Sequence, residues 1–173
     1  MGVAIRPADR PGDLGWMVWQ HGEVYAATLG WDTSFEALVA RIVADFASAD
    51  PDPRLAGWIA ELDGRRVGCV LCVPGPEPHV AVLRILLVTP EARGHGAGRS
   101  LVDACVDHAT RAGCTELTLW TNDVLVSARR IYEAAGFGLV DSDAHHSFGK
   151  DLVGQHWRLD LEQRQRTVAR TSR

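Results

Sequence analysis

Long apolar runs are missing from this chain. No stretch of its 173 residues approaches the roughly eighteen uninterrupted apolar residues of a membrane helix, and residues 1–11 carry charges where a secretory signal has its apolar core. We therefore expect a soluble, cytoplasmic protein with no membrane partner. Charge of one sign is equally scarce: 18 lysines and arginines against 22 acidic residues leave a formal net charge of -4, with the signs mixed along most of the chain. Nothing in that balance favours a nucleic-acid partner, because phosphate-backbone binding draws on concentrated positive charge. Cysteine is sparse, four in all. Cys69 and Cys72 are three apart on a predicted strand, so their side chains point to opposite faces, and no second close pair completes a zinc set. Buried free thiols, and no metal, are the expectation. Internal repeats and low-complexity segments are absent as well.

What the chain does have is apolar content, 46% of its residues, enough for one core. A single domain is expected over residues 1–161, followed by a polar, mobile tail over residues 162–173. Residues 3–6 read as a short strand. A helix capped by Asp13 carries Leu14, Met17, Val18, Val24 and Tyr25 on its apolar face, with a kink or break at Gly22 allowed for. A second helix opens at a Thr33/Glu36 capping box and keeps Phe35, Leu38, Val39, Ile42, Val43 and Phe46 on one side. Residues 55–62 and 67–73 form a hairpin about Asp63 and Gly64. Residues 80–88, apolar except for Arg84, read as a strand covered on both faces. Helices over 99–112 and 127–135 alternate with strands over 117–121, 138–141 and 156–161. The order β, α, α, β, β, β, α, β, α, β, β places the chain in the α/β (α+β) class.

Between the covered strand and the next helix lies Arg93-Gly94-His95-Gly96-Ala97-Gly98, followed by Arg99. Such a turn aims several backbone N–H groups and the positive end of a helix dipole at one anion, and the missing glycine side chains let phosphate approach. Arg93 and Arg99 can add charge-assisted contacts. A Walker loop needs a lysine where this chain has Arg99, and a dinucleotide fingerprint needs G-x-G-x-x-G where this chain has G-x-G-x-G. Both readings fail.

R-x-x-G-x-G at Arg93, Gly96 and Gly98, after Val88 and Pro90, resembles the coenzyme A pyrophosphate loop of the GNAT acetyltransferase superfamily, and YEAAGF from Tyr132 to Phe137 resembles a second motif of the same superfamily. GEVYAATLGWDTSFEALVARIVADF, TNDVLVSARRIYEAAGF and SFGKDLVGQHWRLDL are similar to the acetyltransferase half of bacterial proteins that fuse a MarR-type regulator to a GNAT domain. The chain opens at the first acetyltransferase strand, so DNA binding is not carried over. The resemblance implies a mixed, mostly antiparallel twisted sheet of about seven strands with four helices, its central strands splayed around acetyl-coenzyme A. It implies acetyl transfer to a primary amine of a small molecule, by direct attack on the thioester. A homodimer is common in the superfamily. The other function that keeps the loop is a non-catalytic acyl-coenzyme A sensor.

Residue by residue, the resemblance gives the cofactor the backbone of Leu86, Leu87 and Val88, the loop Arg93, Gly94, His95, Gly96, Ala97, Gly98 and Arg99, and also Asn122, Ala128 and Tyr132. Leu87 matches a backbone oxyanion contact, and Tyr132 the general acid that serves the leaving thiolate. One departure is that Leu125 stands where the superfamily has Asn, with Asn122 three residues earlier. Candidates for the base are Glu23 first, then Asp32, His145 and His146. Trp31, Phe35 and Trp120 are candidates for an apolar acceptor pocket. Arg84 has two uses, binding an acceptor carboxylate or making an ion pair that holds the early helices to the sheet.

Overall fold

The structure, a computed structural model, describes residues 2–171, with side chains to residue 167. Its elements are β1 (Ala4–Pro7), α1 (Asp13–Leu29), α2 (Thr33–Ser48), β2 (Ala56–Leu62), β3 (Arg65–Pro74), β4 (Val80–Val88), a 3₁₀ turn (Pro90–Ala92), α3 (Ala97–Arg111), β5 (Glu116–Asn122), α4 (Val126–Ala135), β6 (Gly138–Ser147), β7 (Lys150–Asp160) and α5 (Leu161–Thr171). Seven strands form one sheet in the order β1-β2-β3-β4-β5-β7-β6. Every neighbouring pair is antiparallel except β4 and β5, which run parallel. Among the described residues no helix is long and apolar enough to cross a membrane.

Two packed layers sandwich the sheet. Met17, Val39 and Val43 of α1 and α2 cover Ile59, Cys69, Leu71 and Leu87 on one face. Leu101, Val102 and Cys105 of α3 cover Val70, Cys72, Leu83 and Leu117 on the other. Cys69 and Cys72 thus fall on opposite faces, as strand alternation requires, and all four cysteines are buried and free.

Local signals were overruled in several places. α1 runs through Gly22 without a break, and a Cβ at that position would lie 3.0 Å from Glu36 Cδ. The glycine is there for the close approach of α2. Asp13 does not cap α1 with its side chain; Gly12 is the N-cap, and the Asp13 carboxylate takes Arg6 and Arg66 instead. At α2 the cap is Asp32, whose Oδ1 accepts from Ser34 N–H at 2.9 Å, rather than the Thr33/Glu36 box.

β6 and β7 are much longer than expected and turn at Phe148 and Gly149, both with positive φ. Their apolar alternation is weak because β6 is a sheet edge with mostly exposed side chains, so backbone pairing rather than burial defines it. The polar run after Leu161 forms a fifth helix where four helices and a tail were expected. Asp160 Oδ1 caps it by accepting from Gln163 N–H at 2.8 Å, Leu161 is buried, and Arg164 donates to the Ala135 carbonyl at 2.9 Å. Residues 172 and 173 of the expected tail lie outside the described residues.

Candidate active site

The site begins with an irregularity in β4. Cys69 faces Leu87 and Leu71 faces Arg84, so Val70 alone stands opposite both Ile85 and Leu86, and Ile85 takes a left-handed φ of 49°. On its other side β4 pairs with β5 only from Val80 to Leu83, the last partner being Leu119. Past that point the two strands part, and the β4 edge from Leu86 to Val88 carries no ladder to β5. The expected splay of the central strands is therefore present.

A groove of about 570 Å³ fills the gap. Leu86, Leu87 and Val88 form one wall, Ser127, Ala128 and Ile131 of α4 another, and Arg93, Gly94, Gly96, Ala97, Gly98 and Arg99 close its end. Gly94 and Gly96 have φ of 80° and 79°, a Cβ on either would meet nothing within 4 Å, and both line the groove, so the turn leaves open space at its end. Gly96 is also the N-cap of α3 and no side chain caps the helix, leaving first-turn N–H groups for a ligand. Gly98 has a different reason to be glycine: a Cβ there would sit 2.6 Å from Ile131 Cδ1, where α3 meets α4. His95 is exposed, bonded at 3.1 Å to the Arg93 carbonyl oxygen, and lies outside the groove lining.

A second cavity, of about 330 Å³, opens from the groove; Tyr25, Leu86, Leu125 and Ala128 line both. Trp31 and Phe35 belong to its apolar wall with Leu38, Val39 and Ile42, and Trp120, Asn122, Arg84 and Tyr132 also line it. Trp31 and Phe35 pack edge to face, with centroids 4.7 Å apart. Tyr132 is buried, and burial pushes its phenol well above the ordinary range, so it stays protonated.

Four expected base candidates are not brought to this cavity. Glu23 is exposed: a helix turns about 100° per residue, so with His21, Val24 and Tyr25 facing inward, residue 23 faces out. Asp32 is engaged as the α2 cap. His146 is exposed beside Asp151 at 2.7 Å. His145 stands behind the wall, with Nε2 2.8 Å from Asn122 Oδ1 and Nδ1 2.9 Å from Ser147 Oγ. It orients Asn122, which is buried and lines the cavity.

The residue that sequence reading missed is His21. It is 1% exposed and lines the cavity, its Nδ1 donates to the Met17 carbonyl at 2.7 Å, and its Nε2 is buried without a close hydrogen bond, the Ile85 carbonyl being the second backbone acceptor that acts on the ring. The signal was a polar residue at position i+4 from Met17 and i−4 from Tyr25, inside an apolar stripe.

Burial pushes the His21 pKa down to about 4, outweighing the backbone carbonyls of Met17 and Ile85, which favour the charged form. The unfolded chain therefore binds this proton first as pH falls from 6.5 towards 4, and stability drops through that window. The loss is on the order of 3 kcal/mol. The denaturant midpoint should therefore fall between pH 6.5 and pH 4 by more in the native chain than in His21→Asn. Parallel behaviour of the two proteins would mean that His21 is not buried neutral.

Residues 22–137 match the model of the Acetyltransferase (GNAT) family. The chain is 32% identical to N-acetylaspartate synthetase of Xenopus tropicalis over 89 residues, which is 51% of this chain and 33% of that protein. It is 30% identical to N-acetyltransferase 8B of Homo sapiens over 103 residues, 57% of this chain and 45% of that protein. These matches thus span less than half the length of either relative. In fold it is similar to a Salmonella typhimurium protein solved with its cofactor acetyl-CoA, with a TM-score of 0.70 at 19% identity, covering 93% of this chain and 95% of that one.

Proposed function

The chain belongs to the Acetyltransferase (GNAT) family, and on that premise we propose that it transfers an acetyl group from acetyl-coenzyme A to the primary amine of a small molecule. The observation that carries this reading is the junction of the two cavities. A groove ending in an open glycine turn leads to a walled cavity beside a buried tyrosine, and four residues line both spaces. A cavity of about 330 Å³, walled by helices on one side and strands on the other, suits a small amine better than a polypeptide tail. The narrower kinship with the acetyltransferase half of MarR-GNAT fusions rests on the three segments quoted above.

The residues present fit the donor. The open turn at Gly94 and Gly96, the first-turn N–H groups of α3 and the side chains of Arg93 and Arg99 suit a pyrophosphate, and the free β4 edge suits an amide-bearing arm. Acetyl-coenzyme A supplies an activated acyl group: as the amine nitrogen forms the new C–N bond, the C–S bond breaks and a thiolate leaves. Strand alternation turns the N–H of Leu87, the expected oxyanion contact, towards Cys69 of β3, so the Leu86 N–H on the free β4 edge is our candidate for holding the carbonyl oxygen as charge builds on it. Tyr132 offers its O–H to the sulfur. His21 takes the place proposed for Glu23: its ring lines the acceptor cavity, and burial keeps it neutral at physiological pH. It receives the ammonium proton directly or through water.

The test is coenzyme A release from acetyl-coenzyme A across small amines and peptides. Release that depends on a small amine supports the reading; tight binding of acetyl-coenzyme A with no acceptor ever acetylated makes the protein a sensor. Gly96→Asp should weaken acetyl-coenzyme A binding at least tenfold in a titration, since it puts a carboxylate in the mouth of the turn. Asp tolerates the left-handed conformation better than most residues, so the fold should survive. An unchanged Kd would move the pyrophosphate elsewhere.

A further inference from the structure

We propose that the acceptor is a free amino acid with an apolar or aromatic side chain, whose carboxylate is held by Arg84; this rests on the acetyltransferase reading above. Arg84 interrupts the apolar run of β4, and an ion pair with the early helices was one of its two uses. The structure removes that use. Among the described residues no carboxylate oxygen lies within 4.0 Å of the Arg84 guanidinium, and no hydrogen-bond acceptor engages it. Asp45, exposed on α2, acts on it only at longer range. A partly buried guanidinium without a partner is costly to keep unless a ligand supplies one.

The rest of the lining points the same way. Arg84 lines the cavity, and no aspartate or glutamate does. The other titratable groups there, His21, Tyr25 and Tyr132, are all held neutral by burial. The cavity therefore has a single fixed charge, and it is positive. An amine with no anion of its own, such as a polyamine, would find no carboxylate for its ammonium group and would face an unpaired cation across a largely apolar space. A carboxylate beside the amine reverses that balance, because a guanidinium presents donors in a fork that matches two carboxylate oxygens. A peptide N-terminus has no such neighbouring carboxylate. Trp31, Phe35, Ile42, Val82 and Leu125 leave the remaining wall apolar, which suits an apolar side chain.

The experiment compares leucine, phenylalanine and tryptophan with their amides and their decarboxylated amines, by coenzyme A release, in the native chain, Arg84→Gln and Arg84→Lys. In the native chain an amino acid should exceed its amide and its amine in kcat/KM by about tenfold to a hundredfold. Arg84→Gln should remove that preference mainly by raising KM, and Arg84→Lys should restore part of it. Acetyl-coenzyme A affinity and melting temperature should stay close to native in both variants, which separates a lost subsite from a damaged fold. Equal use of amides and amines, or an unchanged KM in Arg84→Gln, would overturn the carboxylate subsite while leaving the acetyltransferase reading intact. Should no amine or peptide be acetylated at all, both readings fall.

Discussion

Tyr132→Phe is expected to lower kcat for acetyl transfer by about a hundredfold or more, in line with the loss of a positioned proton donor. Acetyl-coenzyme A affinity and thermal stability should hardly change. Tyr132 is 4% exposed and packs against Phe137 with ring centroids 5.8 Å apart, a contact that phenylalanine keeps. Among the described residues no group hydrogen-bonds its hydroxyl, so removing the oxygen leaves no stranded partner. The variant therefore isolates the O–H. With the ring held protonated by burial, the loss should persist across the neutral and mildly alkaline range rather than appear on one limb of the profile. Steady-state kinetics beside a binding titration decides the matter: an intact kcat would place the thiolate's proton donor elsewhere.

The largest effect on stability is expected from Asp13→Asn, about 3–5 kcal/mol. Asp13 is fully buried and accepts from Arg6 Nη1 at 2.7 Å, Arg6 Nη2 at 2.9 Å, Arg66 Nε at 2.8 Å and the Arg10 N–H at 3.0 Å. Glu61 holds Arg6 from its other side at 2.6 Å. Asparagine keeps the shape but leaves two guanidinium groups facing a neutral amide, one of them on a side chain only 12% exposed. The Arg6 hydrogen bonds, followed by those from Arg10 N–H and Arg66, hold the Asp13 carboxyl well below the usual carboxylate range against the cost of burial. The native chain thus has this stabilisation in full above the ordinary carboxyl pKa of 3.8 and loses it as pH falls below that value. The variant should lack that acid limb. Guanidinium unfolding at neutral and acidic pH measures both effects, and a change of under about 1 kcal/mol would show that the cluster does not hold α1 in place.

That cluster lies at the start of the helix that carries His21 and Tyr25, on the acceptor side, which was the harder half to read from sequence. The donor side is local. Strand, glycine turn and helix follow one another within residues 80–111, and YEAAGF sits on the neighbouring helix, so their order was visible without knowing the fold. The acceptor cavity is assembled from α1, α2, β4, β5 and α4, which meet only in three dimensions. Glu23 looked the better base because it is acidic and lies in the right helix, but helical phase turns it to solvent and turns His21 inward. The two uses of Arg84 could not be separated either, since an ion pair with a distant helix leaves no trace in sequence. Edge strands and surface helices were lost for another reason: β6 and α5 are defined by backbone pairing, a cap and a few contacts rather than by apolar periodicity.

The parallel ladder between β4 and β5 consists of four residue pairs, Val80 to Leu83 with Glu116 to Leu119. Strands β1 to β4 are thus joined to β5, β7 and β6 like two boards nailed at one end. Whatever lies along the free β4 edge acts as a brace between them, and a brace that binds only the folded chain stabilises it in proportion to the logarithm of its own concentration over Kd. With acetyl-coenzyme A bound there as proposed, the sheet would be least rigid when donor is scarce and firmest when it is plentiful, and the durability of the protein would follow the supply of that donor.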